Sequence, residues 1–152
     1  MAMIINDMAG YSTVGITPDE VNSTVDYSCN FFATNYASAF SEYIVLNNYR
    51  TTTISYTGNE ITQLIAPSID NDTLAIIRGK RTEINNEGKE ITYTHYVVVN
   101  GYTYSEKRYD DDRVVRNYTG LIITDPGGAN RSYSGFISLF PTITDYAVFS
   151  KK

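Results

Sequence analysis

Helical spacing of apolar residues dominates the first third of this chain, and β-branched runs dominate the rest. Met1, Ile4, Ile5 and Met8 fall at i, i+3, i+4 and i+7, one stripe of an α-helix, with Gly10 placed to end it. In Thr17-Pro18-Asp19-Glu20, Thr17 can cap a helix, Pro18 suits its first position and Glu20 completes a capping box, predicting a short helix to about Thr24. Phe32, Tyr36, Phe40, Tyr43 and Ile44 keep helical spacing within Cys29–Leu46, and Asn47-Asn48 is the exit of this third predicted helix. Thr51–Tyr56 is short and β-branched and predicts a strand. Asn59 then caps a helix through Ile65 that Pro67 stops, and Asp70-Asn71-Asp72 is a turn.

Leu74–Glu83 and Ile91–Tyr102 read as two long strands joined through Asn85-Asn86-Glu87-Gly88, with glycine where φ must be positive. Ser105–Arg113 reads as a charged hairpin tip before the strand Leu121-Ile122-Ile123. Ser132–Phe140 fits either a short helix or a strand, and Tyr146–Phe149 closes the sheet. Helices first and an antiparallel sheet afterwards predict an α+β fold with the helices on one side. At 152 residues, without internal repeats, one domain is expected. Its first helix starts at Met1 with no cap and no lead-in, so an N-terminal truncation is expected.

Composition narrows the partners. A net charge of −5 argues against nucleic acid, whose binding needs clustered Lys and Arg. No apolar run approaches the roughly 20 residues that span a bilayer, so no membrane segment is expected. The single cysteine, Cys29, excludes an internal disulfide and a Cys-rich zinc site. Asp70, Asn71 and Asp72 lack the glycine and distal glutamate of a calcium loop, and Gly127-Gly128 is followed by no Lys-Ser/Thr pair, so neither metal nor cofactor is expected.

The candidate chemistry rests on the only histidine. His95 opens the β-branched run Tyr96-Val97-Val98-Val99, and Asp125 ends the strand Leu121–Thr124 at the forced turn Pro126-Gly127-Gly128. If the two strands pair as neighbours, His95 faces Asp125, Val97 faces Ile123 and Val99 faces Leu121. A carboxylate beside an imidazole holds one tautomer and stabilises the imidazolium, as acid–base work on a nucleophile requires. On spacing alone a surface or structural histidine next to a common Asp-Pro-Gly turn is the more frequent outcome.

"THYVVVNGY", a strand ending "IITDPGG", "YSGFISLF" and a last strand "YAVFS", in that order, resemble the papain-like cysteine peptidases of the bacteriocin-processing family, peptidase family thirty-nine, and its peptidase-like relatives. "MAMIINDMAG" looks like the helix that follows the family's nucleophilic Cys, and "ITPDEV" like the start of its next helix. "AFSEYIVLNNY" and "NEITQLIAPSIDNDTLAII" look like the elements before the His strand. The resemblance covers nearly the whole chain and implies a papain-like fold, with His95 and Asp125 at the positions of the catalytic His and Asp. The family's Cys, and the Gln that helps form its oxyanion hole, would lie before Met1. A peptide or protein substrate is thereby implied, processed by a Cys-His-Asp triad whose Cys this chain does not carry, and often cut after Gly-Gly. The alternative is an inactive peptidase-like module that only binds a peptide or partner protein. Cys29 as a substitute nucleophile is a third expectation, weighed against a structural cysteine.

Overall fold

The β-branched and tyrosine-rich stretches fold into one antiparallel sheet. The structure, a computed structural model, describes residues 4, 17, 19–21, 33–50, 54–70, 72–127 and 130–152. Helix α1 (Ala33–Ala39) precedes strand β1 (Ile44–Arg50), and α2 (Gly58–Ile65) with a 3-10 turn (Ala66–Ser68) precedes β2 (Thr73–Ile84). Then come β3 (Glu90–Arg108), β4 (Val114–Thr124), α3 (Tyr133–Leu139) and β5 (Thr142–Lys151). The sheet order is β1-β5-β2-β3-β4, every neighbour antiparallel. The last strand in sequence thus lies inside the sheet, and Asp145 through Phe149 are buried whichever face they point to.

Alternation along the inner strands assigns two cores. Ala75, Ile77, Val97, Val99 and Val148 meet Ile61 and Ile65 of α2 and Phe136 of α3 on one face. Leu74, Ile76, Val98, Ala147 and Phe149 meet Ile4, Val21 and Phe40 on the other. Helical residues therefore cover both faces. The α+β papain-like expectation, with N-terminal helices on one side of the sheet, is overturned. Among the described residues strand outweighs helix, 52% to 23%, and the helices are short.

The physical reasons are local. Cys29–Leu46 is not one helix: α1 ends at Ala39, and Ile44-Val45-Leu46 pair with Lys151, Ser150 and Phe149. Cross-strand pairing there overrides a helical spacing that ran on by coincidence. In the predicted strand Thr51–Tyr56, residues 51–53 fall outside the described residues, and only Tyr56 makes an isolated bridge, to Ile143. Helix α2 is capped by Thr57 rather than Asn59. The Thr57 hydroxyl accepts from the Glu60 N–H, and the Glu60 carboxylate accepts from the Thr57 N–H at 2.7 Å. Thr17 and Glu20 make the same box, as the sequence predicts, and residues 19–21 are helical. Ser132 caps α3, which resolves Ser132–Phe140 as a helix. The charged tip is shorter than predicted, since β3 runs to Arg108 and only Tyr109–Arg113 turn, with Asp112 at φ 60°.

Candidate active site

His95 stands on the first core's face of β3, opposite Gly79 of β2. A Cβ at residue 79 would come within 2.6 Å of the Phe140 Cβ and 2.7 Å of the Phe136 Cζ. The glycine lets α3 lay both rings against the sheet. Those rings wall the imidazole, with centroids 5.6 Å away for Phe140, at a 26° interplanar angle, and 6.4 Å for Phe136. His95 keeps 27% of its side chain exposed.

Asp125 is the first residue after β4, and its side chain is 1% exposed. Its Oδ1 accepts from His95 Nε2 at 2.7 Å and from the Gly127 N–H at 2.8 Å. Its Oδ2 accepts from Arg131 Nη1 at 3.1 Å. The Asp-Pro-Gly turn thus closes on the carboxylate that it positions. A Cβ at residue 127 would lie 3.1 Å from Asp125 Oδ1, so the carboxylate would have to give by a few tenths of an ångström. Burial pushes the Asp125 pKa up, but the Gly127 N–H, His95 and Arg131 outweigh it, and the carboxyl sits below its ordinary value.

An ionised carboxylate only accepts, so the neutral ring carries its proton on Nε2 and offers the Nδ1 lone pair. Among the described residues no group hydrogen-bonds Nδ1. A fixed tautomer with a free basic nitrogen can take a proton from a substrate or nucleophile, and a carboxylate behind it stabilises the charge that results.

The sequence brings His95 and Asp125 together correctly, but by the wrong register. Ile123 pairs with Val99 rather than Val97, and Leu121 with Tyr102 rather than Val99. A bulge between Val99 and Gly101 separates these two pairings. Asp125 has left the ladder and reaches His95 from the turn. Arg131 was not foreseen, although an arginine six residues after Asp125, across a Pro-Gly-Gly turn, is the signal that could have found it. Cys29 lies outside the described residues. Among the described residues no cluster of His, Cys, Asp and Glu could hold a metal, and no helix is long and apolar enough to cross a membrane. A cleft of about 370 Å³ between α2, β4 and α3, lined by Asn59, Thr62, Thr119, Tyr133 and Ile137, does not include the dyad. Comparison with known protein families, curated proteins and solved structures finds no match to this chain.

Proposed function

We propose that His95 and Asp125 are the acid–base half of a cysteine peptidase. The observation that carries this reading is the 2.7 Å contact between a sealed, ionised Asp125 and a partly exposed imidazole whose other nitrogen is bonded by no described residue. His95 Nδ1 takes the thiol proton, and the sulfur bonds to the substrate carbonyl carbon. As the C–N bond breaks, the imidazolium gives its proton to the leaving amine. Water then attacks the thioester, His95 takes that proton, and the acid is released as the thiol is restored. Asp125 keeps the ring in one tautomer throughout and offsets the positive charge. The reading needs a thiol that the described residues do not supply, and whether one is encoded upstream of Met1 is what the test asks.

The test reads the codons upstream of Met1 and expresses the chain with the segment that they encode. Hydrolysis of a Gly-Gly peptide is expected, blocked by iodoacetamide. His95→Ala should lower it on the order of 10²- to 10⁴-fold. No upstream Cys, or activity indifferent to His95→Ala, would overturn the reading. Peptide binding without hydrolysis, unchanged in His95→Ala, would establish a binding module instead.

A further inference from the structure

On the same sheet face, two residues along β2 from Gly79, stands Arg81, about 7 Å farther on by strand geometry. It pairs across the ladder with Tyr93, as Gly79 pairs with His95. Its guanidinium carbon lies 4.8 Å from the Tyr93 ring centroid and 5.5 Å from that of Phe140, the ring that stacks on His95. Arg81, Phe140 and His95 are therefore consecutive parts of one surface.

The charge of Arg81 is poorly used within the fold. Its Nε is sealed from solvent and has no hydrogen-bond acceptor. Glu83 Oε1 lies 3.4 Å from that Nε, but this ion pair is not aligned as a hydrogen bond, and the Glu83 side chain is 53% exposed. The two aromatic rings flank the guanidinium and limit its motion before any ligand arrives. With Nε covered, the Nη groups are what a ligand can reach, and a carboxylate is the acceptor that fits two parallel N–H donors.

We propose that Arg81 is the anchor of a carboxylate subsite beside His95. It takes an acidic side chain, or a free C-terminal carboxylate, from a peptide laid across the imidazole. A chain of net charge −5 repels such a peptide at long range, so its capture depends on this local cation. The inference rests on reading His95 as the centre of a peptide site, and it adds the substrate class.

Since His95 is the only histidine, its ring resonances report on this site without ambiguity. The full chain is titrated with the capped peptide Ac-Ala-Ala-Asp-Ala-NH2, its Asn counterpart, and Ac-Ala-Ala-Ala-Ala-OH, while the His95 ring signals are followed by NMR. The Asp peptide, the free-carboxylate peptide or both should shift those signals saturably, about tenfold more tightly than the Asn peptide, and the stronger of the two names the source of the carboxylate. Arg81→Gln should abolish that preference, Arg81→Lys should retain part of it, and Glu83→Gln should strengthen it. Equal binding of all three peptides, or a preference that survives Arg81→Gln, would overturn the subsite. If Arg81→Gln does not fold, the Lys and Glu83 variants decide, since no change in either also overturns it. Carboxylate-selective binding without hydrolysis would sink the peptidase reading and leave the subsite standing. Hydrolysis with no carboxylate preference would do the reverse.

Discussion

Asp145 and Asp125 are both buried carboxylates held by an arginine, and they serve opposite faces of one sheet. Asp145 alternates with Ala147 and Phe149 on the second core's face, directly across the ladder from Arg78. It binds Arg78 Nη2 and accepts from the Thr144 hydroxyl at 2.7 Å, while Arg78 Nε donates to the same hydroxyl oxygen at 3.0 Å. Two paired strands fix both partners. Asp125 lies just past its strand, and its partners are a turn N–H, an arginine and an imidazole that reaches solvent. The first arrangement closes a charge inside the sheet, whereas the second backs an imidazole that keeps 27% of its side chain exposed.

The largest expected effect separates the two. Asp145→Ala leaves a half-buried Arg78, 18% exposed, without its counter-charge and should cost up to about 3–5 kcal/mol in urea unfolding. The His95 ring signals should not move. Asp125→Ala frees donors that lie near water, because His95 is 27% and Arg131 33% exposed, and should cost only about 1–2 kcal/mol. It should nevertheless change the His95 tautomer read from ring nitrogen shifts. A tautomer that Asp125→Ala does not alter would remove the distinction.

Gly79→Ala is the next largest. The added methyl meets the Phe140 Cβ at 2.6 Å, so α3 must shift, at about 1–3 kcal/mol. The cost falls on the His95 side of the sheet alone. Ring-current shifts at His95 should change as Phe140 moves, while the Arg78–Asp145 pair stays in place. Equal stability of the variant and the parent would show that α3 does not press on the sheet here.

What could be read from the sequence followed how local each signal was. Capping boxes show in four residues, and Thr17 with Glu20 forms the predicted one. At α2 the predicted cap, Asn59, lies two residues past the actual one, Thr57, because both residue types can cap a helix. The hairpin at Gly88, φ 75°, was legible for the same local reason. The helix predicted through Leu46 was not, because β1 forms by pairing with β5, about a hundred residues away. His95 and Asp125 were legible because one directly precedes the apolar run Tyr96–Val99 and the other directly follows the strand that ends at Thr124. Gly79, Phe136 and Phe140 were not, since their relation to the imidazole exists only once β2, β3 and α3 are packed together.

Acid sensitivity sharpens the comparison further. Asp125 has a folded pKa below its unfolded value, so the unfolded chain binds that proton more tightly. The stability it contributes is complete above the unfolded value of ~4 and is lost as pH falls through the folded pKa. Asp125→Asn should flatten that part of the stability–pH curve, measured by urea unfolding between about pH 2 and 5. An unchanged acid limb would mean that other carboxylates set it.

Arg131→Gln gives the smallest effect, because a partly exposed arginine is screened by water, and about 0.5 kcal/mol is expected. Its direction is still diagnostic. Arg131 is one of the groups that hold the Asp125 carboxyl below its ordinary value, the others being the Gly127 N–H and His95. Removing it should raise the Asp125 pKa, seen in the carboxyl carbon titration, and move the acid limb to higher pH while the His95 tautomer is kept. Arg131→Lys should restore part of the shift, since a lysine returns the charge without the planar donor fork. If Arg131→Gln left the Asp125 titration where it was, the arginine would be a surface partner only. The second oxygen of Asp125 would then play no part in setting the charge behind His95.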